Sequence, residues 1–140
     1  MLIEFALVLP LFMVMAFLVF DFGKGINYWI DQTHLASEGA RLAAVDRVPG
    51  GGDLKAYIRS QADTSELRDG GSDSIADPLK VCIDFPDGPE AGSPVRVEVS
   101  TTYNWVPLIS DLTSVPSSII RGSATHRLER APSYSAGCTS

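Results

Sequence analysis

The feature that most constrains the fold is an uncharged apolar run near the N-terminus. Residues 5–20 read FALVLPLFMVMAFLVF, with Glu4 before the run and Asp21 after it. As a helix this run spans roughly 24 Å, and the flanking apolar residues make up much of the difference from the ~30 Å hydrocarbon core of a bilayer. A helix that is apolar on every face is not a surface helix of a soluble domain. The run predicts a transmembrane segment over residues 1–23.

Two other interpretations of this run are weaker. A buried core helix would need more chain to wrap it than the remaining residues supply. A cleaved signal peptide would begin with positive charge and end at a small-x-small site. Residues 1–4 carry no basic side chain, and Asp21-Phe22-Gly23-Lys24 contains no such site. We therefore expect the segment to stay on the protein.

Charge limits the classes of partner. The chain has 140 residues and a formal net charge of −6, and its eleven Lys and Arg residues lie at or beyond Lys24, mixed with acids. This balance argues against a nucleic-acid partner, which would need a basic face. The positive-inside rule places Lys and Arg on the cytoplasmic flank of a span. Because the N-terminal flank has none, either the tail is cytoplasmic or a basic leader precedes this sequence, and we favour the leader.

The apolar run continues into a polar, alanine-rich helix. We expect one helix from residue 3 to about residue 46, roughly 65 Å long and kinked at Pro10. Tyr28 and Trp29 follow the span where aromatic rings favour the membrane–water interface. Side chains at three- and four-residue spacing form a predicted packing stripe: Ile26, Ile30, Ala36, Ala40 and Ala43 or Ala44. Small residues permit a close approach, either of the chain's own globular part or of another protein: Ala36, Gly39, Ala40 and Ala43.

The rest of the chain predicts a small α+β domain. Residues 48–52 (VPGGG) end the first helix, and Asp53 is a good N-cap for a second helix, from residue 54 to about 67. Three segments predict antiparallel strands, the first two by two-residue alternation: 79–85, 95–105 and 119–129. Between them, residues 107–118 predict a short helix or loop, and residues 130–140 a tail. The expected fold class is α+β, with a long N-terminal transmembrane/amphipathic helix packed on a small antiparallel sheet. Its divisions are residues 1–23 in the membrane, 24–47 as the extracytoplasmic continuation of the helix, and 48–140 as the extracytoplasmic domain.

The two cysteines, Cys82 and Cys138, are a candidate disulfide. In a non-cytoplasmic domain such a bridge would close a loop of about 56 residues, contribute ~4 kcal/mol and hold the C-terminal tail. The alternative is two unrelated thiols.

Sequence patterns for catalysis, cofactors or metals are missing. His34 and His126 are far apart in the chain, and neither has a neighbouring His or Cys at metal-ligand spacing. Asp69, Asp73 and Asp77 lack the glycine and the glutamate that an EF-hand loop needs. We predict no enzyme activity, no cofactor and no metal site.

Three blocks of the N-terminal helix stand out together: residues 3–10 (IEFALVLP), 21–24 (DFGK) and 36–44 (ASEGARLAA). They resemble the TadE family of pseudopilins, part of the tight-adherence machinery related to type IV pili. The resemblance implies a pilin-like fold, a precursor cut by a prepilin peptidase, and a glutamate that stands fifth in the mature chain. Here the glutamate is fourth. It also implies the inner (cytoplasmic) membrane as location, with the C-terminal domain extracytoplasmic or carried in a surface pilus. The implied partners are other pilin or pseudopilin subunits and the Tad secretion machinery.

Within this resemblance Glu4 is the candidate assembly residue. A carboxylate near the start of a membrane helix is costly alone, so pairing with the α-amino group of an adjacent subunit would favour one axial register. The alternative is an acid that reaches the lipid headgroups. The whole chain has two interpretations: a minor pseudopilin that contributes to pilus assembly, adhesion or secretion, and a single-pass anchor that displays a small binding domain without an assembly role.

Overall fold

A computed structural model describes residues 2–106, 110–111 and 114–139. Within these residues the main elements are one long helix, two short helices and four strands, in the order α1(Leu2–Ala44), α2(Leu54–Ser60), α3(Ser65–Asp69), β1(Lys80–Asp84), β2(Pro94–Asn104), β3(Ser117–Arg127) and β4(Gly137–Cys138). The fold class is the predicted α+β arrangement, a long N-terminal helix packed on a small antiparallel sheet. Of the segment predicted as a short helix or loop, residues 107–109 and 112–113 lie outside the described residues, and residues 117–118 belong to β3.

Helix α1 is continuous through Pro10 and ends at Ala44, two residues before the predicted end near residue 46. Asp46 adopts a left-handed conformation (φ 50°). The N–H of Asp46 donates to the carbonyl of Ala43, and the N–H of Arg47 donates to that of Leu42. This pair of bonds is the Schellman motif, which satisfies the last carbonyls of a helix. The helix therefore stops at its own cap, before the Pro-Gly-Gly-Gly segment.

The second predicted helix is two helices. Asp53 caps α2 as expected, accepting from the N–H groups of Lys55 and Ala56. The chain then breaks because the N–H of Asp63 donates to the Asp31 carboxylate of α1 (3.1 Å), and Thr64 caps a new helix, α3. A single helix over residues 54–67 was therefore a wrong prediction, overridden by a contact with α1.

The sheet has four strands in the order β3-β2-β1-β4, all antiparallel. The predicted pairing of the first two strands is confirmed, and β3 pairs with β2 along its whole length. The expectation of three strands and a plain tail was wrong. Residues 137–138 add a short edge strand beside β1, where Cys82 lies opposite Cys138 in the register and the two form a disulfide.

The core lies between the second half of α1 and one face of the sheet. Alternate residues of β1 and β2 point toward the helix and are fully or almost fully buried, as the alternation predicted: Val81, Ile83, Val95, Val97, Val99 and Tyr103. From α1 the buried residues include Tyr28, Leu35, Ala36, Ala40 and Ala43. We call this packed part, residues 21–139 as far as described, the head.

The packing stripe on α1 was predicted correctly only in its second half. Ile26 and Ile30 are 45% and 56% exposed, and the buried positions beside them are Gly25 and Tyr28. Tyr28 is buried in the head, so the expectation that it faces the membrane interface was wrong for this residue. Asp21 and Tyr28 lie on the buried side of α1, where Tyr103 of β2 and Glu66 of α3 are their hydrogen-bond partners.

Candidate functional site

The exposed half of α1 is the most distinctive surface of the protein. Its membrane-candidate helix, residues 3–44, contains an 18-residue window with a mean hydropathy of 2.5, none of it buried. The large apolar side chains there are open to the surroundings: Ile3, Phe5, Leu7, Val8, Leu9, Leu11, Phe12, Met13, Met15, Phe17, Val19 and Phe20. By length and composition this helix can cross a membrane. Since the window is unburied, the core-helix interpretation does not hold for it.

Glu4 lies in the first turn of this exposed helix. A carboxylate in the first turn is favourably placed relative to the positive end of the helix dipole. The side chain is exposed, on the same helical segment as the surrounding Ile3 and Phe5. We call the exposed apolar part of α1, residues 3–20, the apolar rod. Glu4 lies at the end of this rod that is far from the head.

The small residues of α1 pack inside the chain itself. Ala36, Ala40 and Ala43 are fully buried, and Gly39 lies against α2 and β2. A Cβ atom at Gly39 would meet Ile58 Cδ1 at 2.7 Å and Val97 Cγ1 at 3.3 Å. Of the two interpretations of this stripe, the geometry matches packing on the chain's own globular part. All four residues are buried inside the head.

Residues 1–41 match the family model described as TadE-like protein. The match confirms the resemblance that the N-terminal motifs predicted. It covers the exposed rod, Glu4 and the first part of the helix that packs on the sheet. No curated protein and no solved structure matches the chain.

The boundary between the TadE-like rod and the head is marked by a buried acid. Asp21 is 6% exposed. Its carboxylate accepts from the hydroxyl of Tyr103 and from the N–H of Val106 (3.2 Å), both at the end of β2. Burial, followed by this bond to Asp21, raises the pKa of the Tyr103 hydroxyl above its ordinary value. The bonds fasten the sheet to the helix at the level where the apolar run ends.

A second polar contact in the TadE-like region lies one to two turns further along the helix. The Glu66 carboxylate of α3 accepts from the Tyr28 hydroxyl, and Lys24 Nζ lies 3.2 Å from it. The Tyr28 bond is the largest cause that lowers the pKa of Glu66 below its ordinary value, and Lys24 adds to it. Together with the Asp31–Asp63 bond, this contact attaches the short helices to α1.

Gln32 and Gly122 let α1 approach the sheet closely. Gln32 is fully buried, and with its amide nitrogen turned to the sheet it donates to the carbonyls of Ile120 (2.8 Å) and Val99 (3.3 Å). Gly122 on β3 faces the same turn, and a Cβ there would lie 2.6 Å from the backbone of Gln32. Sequence reasoning missed both residues, as it missed Asp21, because their partners are distant in the chain.

The two histidines come together on the head surface. His34, Ser37, Glu38, Arg41 and His126 line a shallow hollow of about 350 Å³. Within residues 2–106, 110–111 and 114–139, no group of three or more His, Cys, Asp or Glu side chains is placed to hold a metal ion.

Proposed function

We propose that this chain is a membrane-anchored, TadE-like minor pseudopilin of a bacterial inner membrane. It contributes to the assembly of an adhesive Tad-type pilus or of the secretion machinery that builds it. The coincidence of two boundaries carries this proposal: the TadE-like match over residues 1–41 contains the whole unburied apolar rod of α1.

The expected topology is one membrane pass with the head outside the cytoplasm. The Cys82–Cys138 disulfide supports that side, because such bonds persist in oxidising compartments and are rare in the cytosol. The divisions predicted from the sequence remain our proposal for the protein in its membrane: 1–23 in lipid, 24–47 and 48–140 outside it.

Glu4 is proposed to set the register between subunits. A carboxylate at the end of an apolar helix loses its hydration when that helix packs against another in lipid. The α-amino group of a neighbouring pilin or pseudopilin subunit would restore a partner, and only one axial offset brings the two charges together. Breaking a desolvated ion pair costs about 3–5 kcal/mol, which is more than a hundredfold in an association constant.

The test replaces Glu4 by glutamine, which keeps the shape and removes the charge. The matched control is Glu38→Gln, an exposed acid on the same helix whose ion pair with Arg41 is long (3.9 Å). Co-purification of the chain with pilin and pilus-dependent adhesion are measured in cells that lack the native copy. We expect Glu4→Gln to reduce both strongly and Glu38→Gln to leave them unchanged.

The outcomes separate the parts of the proposal. Full assembly with Glu4→Gln would remove Glu4 from the mechanism. If deletion of the whole chain left pili and adhesion intact, the pseudopilin function would be wrong. The single-pass anchor with a binding head would then be favoured.

A further inference from the structure

The end of the head nearest the apolar rod carries a cluster of exposed apolar side chains. Phe22, Ile26 and Trp29 share one face of α1, at spacings of four and three residues. Val106 follows β2, and Ile119 lies near the start of β3. We call these five residues the apolar ledge. Each is between 41% and 61% exposed, so the ledge is a surface and not part of the core.

The ledge borders a groove between α1 and the edge strand β3. Phe22, Ile26, Trp29 and Ile119 line this groove, whose volume is about 360 Å³. The ring of Trp105 forms its floor, stacked on Phe22 with the centroids 6.2 Å apart. Among the described residues that line it, Arg121 is the charged one. A contiguous apolar surface of this kind on a head otherwise rich in charge marks a binding surface.

The depth of the ledge along α1 identifies what covers it. If the hydrocarbon core starts at Ile3, its ~30 Å corresponds to about twenty helical residues and ends near Gly23. Phe22 then lies at the boundary and Ile26 about 5 Å beyond it. The interfacial layer adds about 5–8 Å on each side, so Ile26 falls within it, and Trp29, about 9 Å beyond Gly23, lies just outside it. The positions of Phe22 and Ile26 suit the aromatic and apolar side chains that favour that layer.

The sheet side of the ledge is held at the same level. The N–H of Val106 donates to the Asp21 carboxylate, and the Tyr103 hydroxyl donates to the same group. Asp21 directly follows the apolar run. This end of the head is therefore fixed beside the lipid boundary by buried hydrogen bonds, and the opposite end of β3 points away from it.

We propose that the apolar ledge inserts into the interfacial layer of the lipid bilayer and seats the head on the membrane surface. The occupant of the groove is lipid, because the ledge is continuous with the membrane-candidate helix and lies at interfacial depth. Arg121 also lines the groove, and its guanidinium lies 3.8 Å from the Glu98 carboxylate. The inference rests on the membrane anchoring of the proposed function and does not require pilus assembly.

The experiment places a fluorescent label at single positions of the full chain in lipid nanodiscs. Ile26→Cys and Ile119→Cys are labelled with an NBD maleimide, since the native cysteines are bridged to each other. Thr125→Cys is the matched control, because it is exposed and on the same outer face of β3 as Ile119. It lies roughly 20 Å further along the strand. Phe12→Cys in the rod tests the anchoring itself.

Quenchers placed at three depths in the bilayer report the depth of each label. We expect headgroup-level and carbonyl-level spin-labelled lipids to remove most of the emission at Ile26 and Ile119 but not at Thr125. The label at Phe12 should respond to the chain-end quencher. As a measurement without a label, Trp29 emission in the Trp105→Phe variant should be quenched by the same shallow lipids.

Two results would overturn the inference. Ledge labels that respond to aqueous iodide as Thr125 does, while Phe12 stays quenched from the chain ends, would leave anchoring intact and exclude the seated head. Shielding that appears only in discs with several copies of the chain would assign the ledge to a protein neighbour. An unquenched Phe12 label would refute the anchoring proposal itself.

Discussion

Replacing Gly122 by alanine tests how α1 lies on the sheet. The added Cβ would lie 2.6 Å from the carbonyl carbon and oxygen of Gln32 and 2.6 Å from the nitrogen of Thr33. All three atoms belong to the helix backbone, so no side-chain rotation relieves the overlap. The helix or β3 must move.

The expected cost follows from the contacts that such a movement disturbs. Overpacking a well-packed site costs about 1–3 kcal/mol. An overlap between the new Cβ and the helix backbone belongs at the upper end of this range, because the backbone cannot move aside as a side chain can. A shifted helix also strains the two bonds from Gln32 to the sheet carbonyls, each worth about 1 kcal/mol. We expect Gly122→Ala to lower the free energy of unfolding of the head by about 3 kcal/mol. This corresponds to a fall of roughly 10 °C in the thermal midpoint.

Two other glycines provide graded controls. Gly39→Ala meets Ile58 Cδ1 at 2.7 Å, the far end of a side chain that can rotate. Its cost should be largely offset by the ~1 kcal/mol that alanine gains over glycine in a helix. Gly23→Ala meets no atom within 4 Å and should not destabilise the head. Thermal unfolding of the full chain in detergent, followed by near-ultraviolet circular dichroism, measures all three. If Gly122→Ala unfolds at the wild-type temperature, the close approach of α1 to β3 is wrong.

Two further perturbations test the edges of the head. The double variant Cys82→Ser/Cys138→Ser opens a loop whose ends are 56 residues apart in sequence. Its free energy of unfolding, measured in urea, should therefore fall by up to about 4 kcal/mol. An unchanged urea midpoint would contradict this. Glu66 has a lowered pKa in the folded state, so its stabilising contribution is complete above its ordinary pKa of 4.5 and is lost as pH falls through the folded value. Tyr28→Phe removes the hydrogen bond that lowers the Glu66 pKa most, so NMR titration of the Glu66 carboxyl carbon should give a higher pKa. The loss of stability on acidification should be smaller in this variant. Lys24→Met should change both quantities in the same direction by a smaller amount. A Glu66 pKa that does not rise in Tyr28→Phe would refute the assigned bond.

Local patterns predicted the elements of this protein well. Alternation at Val95, Val97 and Val99 identifies β2, because one face of a sheet strand is buried. The Asp53 cap was likewise readable, since a capping side chain acts within three residues of its own position. The predicted disulfide partners lie opposite each other in the sheet. The strand that carries Cys138 was not predicted, because two residues are too few to show an alternating pattern.

Contacts between distant segments were not predictable in the same way. The split between α2 and α3 depends on Asp31, thirty-two residues away from the N–H that it binds. The buried face of α1 depends on Tyr103 and Glu66, which select Asp21 and Tyr28 as inward positions over the more apolar Ile26. No local signal distinguishes an acid that will be buried with partners from one that stays in water.

The sequence by itself determined that the chain has an uncharged helical rod long enough to span a bilayer, with one acid, Glu4, at its start. Hydropathy and helix rise are properties of consecutive residues, so the span can be predicted without knowledge of the tertiary structure. Only the tertiary structure decided which face of α1 packs on the sheet, because Asp21 and Gln32 are buried by partners about seventy to ninety residues away. The apolar ledge is decided at that level too. The same packing that buries Tyr28 leaves Ile26 and Trp29 facing outward beside the lipid boundary.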